Sequence, residues 1–236
     1  METRKIVKTK GIVLAETNFS EADKMLTVLT PDLGKISCVA KGARRINNKL
    51  MPTSQVFAFS DMILYRGKGD SYYINSAELI ESFYSIRVDY DKLESAMACV
   101  KFIKKNVQEN QTSVLLLKLL LNTIYLLSIG EKDANFVKDV YELKATCLLG
   151  FTPRVKACVE CGDINTVGFS MKKNGMVCKN CGIIDKSLIE LKPGTIATRK
   201  YIVGSDLKKL FSFNITDEII RELQLFNKIY LQEKLE

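Results

Sequence analysis

Four cysteines in two closely spaced pairs are the residues of this chain best suited to bind a metal ion. Each pair has the form C-x₂-C, and sixteen residues separate the two pairs. Two thiolates from one tight turn reach the same ion, and two such turns supply the four tetrahedral ligands that Zn²⁺ takes in structural sites. The spacing therefore predicts one structural Zn²⁺ per chain, with the ligands Cys158, Cys161, Cys178 and Cys181.

The segment around these cysteines, at about residues 156–184 and called here the cysteine ribbon, is predicted to fold as a zinc ribbon. Val167 to Met171 and Met176 to Val177 flank Asn174-Gly175, a dipeptide favoured in two-residue hairpin loops. Gly162 and Gly182 each follow a pair, where the absence of a Cβ lets the chain curl around an ion. A closed site of four thiolates leaves no position for water or substrate, so a structural metal site is favoured over a catalytic centre.

The absence of histidine counts against several classes of enzyme. Histidine is the commonest general base and the commonest ligand in open zinc sites. The nucleotide-binding pattern G-x-x-x-x-G-K-[ST] is absent as well, so nothing indicates the use of ATP. Cys38, Cys99 and Cys147 are predicted to be small buried apolar residues, and the N-terminus resembles no apolar signal region, which together favour a reducing cytoplasm.

Positive charge is concentrated in one part of the chain. The net charge is +8, from 35 basic and 27 acidic side chains, and residues 33–60 contain no acidic residue at all. Arginine guanidinium groups fork onto phosphate oxygens, so a loop of this kind suits a sugar-phosphate backbone, although a solvated charged loop is the alternative. The predicted DNA-binding residues are Lys35, Lys41, Arg44, Arg45 and Lys49, extended by Arg66 and Lys68 in the next hairpin.

Period-two apolar runs predict that these cations lie on a small β-barrel. Five such runs occur in the first 80 or so residues, with one long connection after the third, a pattern typical of the OB fold, while a sandwich remains an alternative. The predicted strands are Ile6 to Ala15, Met25 to Thr30, Lys35 to Lys41, Val56 to Tyr65 and Tyr72 to Leu79.

Aromatic residues on the last two of these strands could stack on unpaired bases. Alternation along a strand places about half of them inward, and adjacent Tyr72 and Tyr73 must point to opposite faces. The candidates are Phe57, Phe59, Tyr65, Tyr72 and Tyr73. Core packing is the favoured role for any one of them.

From about Asp89 the apolar period becomes helical. Helices are predicted over Ser113 to Ile129, Asn135 to Leu149, Gly194 to Phe211 and Thr216 to Leu235. The sequence thus predicts an α+β multidomain protein: an N-terminal five-stranded OB-fold β-barrel at residues 1–82, then an α-helical domain at 83–236 with the Cys₄ zinc ribbon inserted in it.

Several stretches of the chain resemble the RecO DNA repair proteins of bacteria. The N-terminal stretches are "KGIVL", "SEADKMLTVLT", "LGKISCVAKGARR" and "AELIESF". The C-terminal stretches are "ELKATCLLGFTP", "CVECG" and "GMVCKNC". The chain departs from the family pattern in having Asn174-Gly175 before the third cysteine, where Gly-Gly is common, and "RRINNKL" after the paired arginines, where a serine is common.

The resemblance implies a recombination mediator in DNA repair, not an enzyme, located in the bacterial cytoplasm with the nucleoid. Such proteins bind single- and double-stranded DNA, anneal complementary strands without ATP, recognise the C-terminal tail of single-strand-binding protein, and work with RecR to load RecA. By position, Lys41, Arg44 and Arg45 match the basic loop of the family. The resemblance also implies an N-terminal OB domain, a helical domain and a structural zinc finger.

Two other classes of function stay open at the level of the residues. A zinc-ribbon adaptor would act only through protein-protein contacts and would have no affinity for DNA. A zinc or thiol enzyme would need a cysteine of lowered pKa outside a closed metal site.

Overall fold

Five strands form the N-terminal part of the chain: β1 (Ile6–Asn18), β2 (Lys24–Thr30), β3 (Gly34–Ala40), β4 (Phe59–Arg66) and β5 (Tyr72–Glu81). They come from a computed structural model that describes residues 6–67 and 71–235. The strands close into a barrel in the order β1-β2-β3-β5-β4, with β4 pairing back onto β1 and β3 running parallel to β5. The predicted five-stranded barrel of the OB type is confirmed.

Alternation of apolar side chains builds the interior of this barrel. Leu26 and Val28 on β2 and Ile36 and Cys38 on β3 point inward and are buried. β1 runs past its predicted end at Ala15, because the register shifts between Val13 and Ala15 and the strand continues pairing with β2 as far as Asn18. A bulge of this kind bends a long strand around a barrel without ending it.

Two helices follow the barrel, α1 (Tyr90–Asn106) and α2 (Val114–Ile129). The Asp89 side chain caps α1 by accepting a hydrogen bond from Lys92 N at 3.2 Å. Together with the barrel these helices form the first of two compact units, Met1–Ala134 and Asn135–Glu236. Compactness therefore groups α1 and α2 with the barrel. The predicted domain boundary after residue 82 stays a prediction.

The second unit combines helices with a three-stranded sheet. Its elements are α3 (Ala134–Leu148), β6 (Thr166–Ser170), β7 (Gly175–Cys178), α4 (Lys179–Gly182), β8 (Leu188–Glu190), α5 (Pro193–Gly204) and α6 (Asp217–Leu235). The sheet has the order β7-β6-β8, and β8 was not among the predicted strands. Among the described residues, no helix combines the length and the apolar character needed to cross a membrane.

The predicted two-residue turn in the cysteine ribbon is wrong. β6 ends at Ser170 and β7 begins at Gly175, so the connection has four residues, and Gly175 pairs with Ser170 inside the hairpin. Asn174 alone adopts the left-handed conformation, at φ 50°. Glycine is required at 175 for space, since a Cβ there would lie 2.2 Å from Val159 Cγ1.

The predicted C-terminal end of α5 at Phe211 is also wrong. The helix ends at Gly204, and the Lys144 ammonium donates hydrogen bonds to the carbonyl oxygens of Ile202, Val203 and Ser205 at 3.2, 3.1 and 2.6 Å. The carboxylate of Asp206 then accepts from the backbone N–H groups of Lys208 and Lys209 and holds the chain in a turn. A cation on the last carbonyls and an aspartate turn just after them stop a helix that propensity alone would continue.

The core of the second unit contains a fully buried arginine among aromatic rings. The guanidinium carbon of Arg199 on α5 lies 3.5 Å from the ring centroid of Phe226 and 5.5 Å from that of Tyr230, both on α6. Phe169 on β6 is 4.7 Å from the same carbon. The side chain thus joins the sheet of the cysteine ribbon to α5 and α6 through cation-π contacts.

Candidate nucleic-acid interface and metal centre

The four cysteines of the ribbon converge on one point, and their sulfur atoms all lie within 4.8 Å of one another. Cys161 Sγ and Cys178 Sγ are 3.6 Å apart. Four thiolates around a zinc ion at about 2.3 Å would stand roughly 3.8 Å apart, so the spacing fits a tetrahedral metal site. All four thiols are free of disulfides, which leaves them available as ligands.

Backbone N–H groups favour a thiolate at Cys158. Although burial raises the pKa of this thiol, the N–H groups of Cys161, Cys178 and Glu160 together lower it to about 6. Hydrogen bonds with Cys161 and Cys178 instead raise the pKa of Cys181 to about 12. Four thiols this close together ionise jointly only beside a positive charge, which is what a metal ion supplies.

The ribbon is held to its own unit by backbone pairing. Met176 N donates to Arg154 O and Val159 N donates to Met176 O, both at 2.9 Å, so the chain before the first cysteine pair runs alongside β7. Gly162 adopts φ +80° directly after that pair, as its position predicts, and its N–H donates to Cys158 O at 3.0 Å. Gly182 has no positive φ, and a Cβ there would lie 2.9 Å from Leu188 Cδ2, the end of a flexible side chain.

The basic loop, residues 41–51, follows β3 as a chain of successive tight turns. Arg45 N donates to Gly42 O at 2.9 Å, Asn48 N to Arg45 O at 3.0 Å and Met51 N to Asn48 O at 3.0 Å. The Asn48 side chain accepts from Leu50 N at 2.7 Å. Ala43 and Leu50 are buried in the barrel core, so the loop is anchored near both of its ends.

Hydrogen bonds also tie the basic loop to the turn between β1 and β2. The Asp23 carboxylate accepts from Gly42 N at 2.8 Å, where Gly42 adopts φ +69°. Arg44 N donates to Ala22 O at 3.0 Å, and Arg44 Nη1 donates to Ser20 O at 2.6 Å. The two loops therefore form one surface at one end of the barrel.

The predicted DNA-binding cations divide into groups by their surroundings. Lys41, Arg44, Arg45 and Lys49 are exposed on the basic loop, and Arg66 is exposed at the end of β4. Lys35 is half-buried, and its ammonium donates to Lys104 O at the end of α1 at 2.7 Å, which makes it part of the packing of that helix. Lys68 lies outside the described residues.

The predicted aromatic platforms are mostly occupied by protein contacts. Tyr72 is buried in the barrel and Tyr73 faces outward, so the prediction of opposite faces is confirmed. Tyr73 stacks on Tyr65 with ring centroids 5.2 Å apart, and the Lys41 ammonium lies 5.2 Å from the Tyr73 centroid. Phe57 is buried with φ 72°, and Phe59 is half-buried.

The three cysteines outside the ribbon lack the features of a reactive thiol. Cys38 and Cys99 are buried as predicted, while Cys147 is half-buried. Burial raises the pKa of Cys38 to about 12 and also raises that of Cys147. Neither Cys38 nor Cys147 is therefore ionised near neutral pH, which counts against the thiol-enzyme alternative.

Two further residues of this surface lie in the β1–β2 turn, and no periodic pattern identifies them. Asp23 closes the turn by accepting from Phe19 N, and its carboxylate fastens the basic loop through Gly42 N. Phe19, in the β1–β2 turn, is 58% exposed. The signal for Phe19 was available, because a lone aromatic residue in an otherwise polar turn is unusual.

Comparisons with known proteins cover nearly the whole chain. Residues 1–83 match the family described as "Recombination protein O N terminal" and residues 87–236 match "Recombination protein O C terminal". The chain is 36% identical to the "DNA repair protein RecO" of Acetivibrio thermocellus, over 98% of this chain and 92% of the relative. It is 34% identical to the protein of the same name from Caldicellulosiruptor bescii, over 98% of this chain and 94% of the relative.

Proposed function

The chain belongs to the RecO family of DNA repair proteins, and we propose that it acts in recombinational repair by binding DNA through the basic loop of its barrel. The observation that carries the proposal is the rigid presentation of exposed cations. Lys41, Arg44, Arg45 and Lys49 occupy one loop, and the loop is fixed to the β1–β2 turn by Asp23 and by the backbone of Arg44. A loop ordered in this way binds phosphates without first losing conformational freedom.

The mechanism we propose is charge neutralisation followed by annealing. Cations that screen the phosphates of two complementary strands reduce the repulsion that slows their pairing, a step that needs no ATP. In the cell the same surface would act on DNA covered by single-strand-binding protein, through contacts with the tail of that protein and with RecR, so that RecA is loaded. These partners and a location at the bacterial nucleoid follow from the family resemblance.

We further propose that the cysteine ribbon binds one Zn²⁺ through Cys158, Cys161, Cys178 and Cys181. The mutual distances of the sulfurs and the all-thiolate ligand set support zinc over harder ions such as Mg²⁺ or Ca²⁺. The role of the ion is structural. Apart from the cysteines themselves, Val177 is the only fully buried member of the described apolar cluster next to the thiols, so burial contributes little to ordering the cysteine end of the ribbon, whereas Phe169 and Met176 anchor its hairpin.

The experiment that tests the function is annealing of two complementary oligonucleotides coated with single-strand-binding protein, followed by fluorescence without ATP at two salt concentrations. Acceleration that weakens as salt rises is expected if cations contact the phosphates. A folded, metal-loaded protein that gives no acceleration would refute the proposal. The control is the same reaction with a variant in which Arg45 and Lys49 are both replaced by alanine.

A second candidate function, an adaptor that acts only through proteins, is favoured by the exposed apolar residues next to the cysteine pairs. Ile164 is 72% exposed, and Ile183 and Ile184 are 80% and 84% exposed. Exposed apolar side chains of this size are common at sites of protein contact. The adaptor predicts that the chain has no affinity for bare DNA, so direct titration with an oligonucleotide separates the two candidates.

A further inference from the structure

An exposed aromatic residue lies in the β1–β2 turn, which is hydrogen-bonded to the basic loop. Phe19 follows the last residue of β1 and is 58% exposed. The tyrosine pair of the barrel offers no equivalent surface, because the ring of Tyr73 is contacted both by Tyr65 and by the ammonium of Lys41. Compared with Tyr73, Phe19 therefore has the ring more available to an incoming planar group.

The turn that carries Phe19 is rigid. Phe19 N donates to Asp23 O at 3.0 Å, and Asp23 N donates to Ser20 Oγ at 3.2 Å. The guanidinium of Arg44 then holds Ser20 O from the basic loop at 2.6 Å. A turn held in this way loses little backbone conformational entropy when a ligand stacks on the ring that it carries.

The neighbours of the ring indicate the chemical class of the ligand. Exposed cations and one exposed ring, supported by the same set of hydrogen bonds, match the two parts of a nucleotide, its phosphate and its base. In a duplex both faces of each base are covered by its neighbours, whereas an unpaired strand can turn a base onto a protein ring. An apolar protein partner would call for a wider apolar surface. Ile46 on the basic loop is 85% exposed, but it lies between the exposed polar residues Arg45 and Asn47, and the residues that follow Phe19 in the turn are Ser20 and Glu21.

We propose that Phe19 is a stacking platform for an unpaired base of the strand whose phosphates the basic loop binds, and that it makes the barrel prefer single-stranded to duplex DNA. This inference rests on the proposed DNA-binding function. It assigns the two properties to different residues: the cations set the dependence on salt, and the ring sets the preference for unpaired DNA.

The test is fluorescence anisotropy with a labelled oligo-dT and with a duplex of the same length, using the full chain and its Phe19→Ala, Phe19→Leu and Phe19→Tyr variants. Stacking of one base predicts that Phe19→Ala and Phe19→Leu lower affinity for oligo-dT by about 5- to 150-fold. Phe19→Tyr should keep the affinity, and duplex affinity and the salt slope should stay unchanged. The matched control is Tyr125→Ala, which removes an aromatic side chain of 59% exposure from α2 and should change neither affinity.

The outcomes separate this inference from the proposed function. If the unmodified protein binds neither oligonucleotide, the DNA-binding function fails and the inference with it. If removal of Arg45 and Lys49 weakens binding while Phe19→Ala does not, the function stands and the stacking role is overturned. Equal losses for oligo-dT and duplex would also overturn it, and thermal melting of each variant shows whether such a loss comes from unfolding.

Discussion

Replacement of Arg45 and Lys49 by alanine together should halve the dependence of DNA binding on salt. Both side chains are exposed, whereas Arg44 also holds the β1–β2 turn and Lys41 contacts Tyr73. If each of the four cations on the basic loop neutralises one phosphate of a single strand, the log-log salt slope is about −2.8, at about 0.7 for each contact. The double variant retains two contacts and a slope of about −1.4.

The assumption of one phosphate per cation also predicts how much DNA affinity the Arg45 and Lys49 double variant loses. At about 0.1 M salt each phosphate contact raises DNA affinity about fivefold, relative to its contribution at about 1 M salt. The loss of two contacts therefore lowers affinity by about 25-fold at about 0.1 M salt. The melting temperature should hardly change, because exposed charges contribute little to stability. Anisotropy titrations of a labelled oligo-dT between about 50 and 300 mM salt measure both the slope and the affinity.

A charge-matched control separates local contact from net charge. Lys101 on α1 and Lys118 on α2 are exposed and belong to the same compact unit, so Lys101→Ala with Lys118→Ala removes the same total charge. This variant should keep the slope of the unmodified protein. An unchanged slope in the Arg45 and Lys49 variant, or an equal change in both double variants, would refute the assignment of DNA binding to the basic loop.

Three further predictions concern the metal site, the loop anchor and the half-buried carboxyl group of Glu142. Cys158→Ser should abolish zinc binding, measured as metal per chain, and lower the melting temperature of the second unit, since zinc contributes about 10–16 kcal/mol of apparent binding free energy in small zinc-dependent folds. The control variant Cys147→Ser, outside the site, should retain the metal. Equal zinc content in the two variants would contradict the assignment of Cys158 as a ligand. Asp23→Ala removes the acceptor for Gly42 N, so the cations remain but the loop that carries them is less ordered; DNA affinity should fall severalfold without a change in the salt slope. The control variant Asp23→Asn keeps an acceptor oxygen and should bind DNA nearly as the unmodified protein does. Burial raises the pKa of Glu142 from 4.5 to about 7, so the contribution of this carboxyl group to stability is fully present below about pH 4.5 and is lost as pH rises through 7. Glu142→Gln should therefore raise the melting temperature at pH 8 but not at pH 5. An equal change in melting temperature at both pH values would show that the carboxyl group does not titrate in this range.

The barrel could be predicted from the sequence because each strand has one face inside a core. Alternation located all five strands, with their starts correct to within a few residues, since a one-residue slip would expose apolar side chains such as Leu26 and Val28. The end of β1 was missed because a bulge leaves no mark in the apolar pattern. The end of α5 was missed because it depends on Lys144, which lies far away along the chain.

The metal ligands could be predicted because local spacing alone brings two thiolates to one ion. The roles of the basic residues could be predicted only in part, since charge gives their position and leaves their partners unspecified. Lys35 has the same charge as Lys49, yet its ammonium binds the last turn of α1, and no local pattern indicates this contact. The exposed ring of Phe19 could not be predicted from alternation. Strand alternation identifies rings that pack in a core, and a ring that stays exposed in a turn belongs to no periodic pattern.

The hydrogen bonds that build the proposed DNA surface and those that build the metal site belong to different compact units. Asp23 and Arg44 shape the basic loop within Met1–Ala134, while the four thiols and the Arg199 cluster lie within Asn135–Glu236. Loss of the metal should therefore loosen β6, expose Phe169 and disturb the aromatic cluster around Arg199 without removing any hydrogen bond of the basic loop. It follows that metal-free protein should keep the salt slope of the loaded form on bare oligo-dT, and that any loss in annealing on coated DNA would then report a contact made by the second unit with a protein partner.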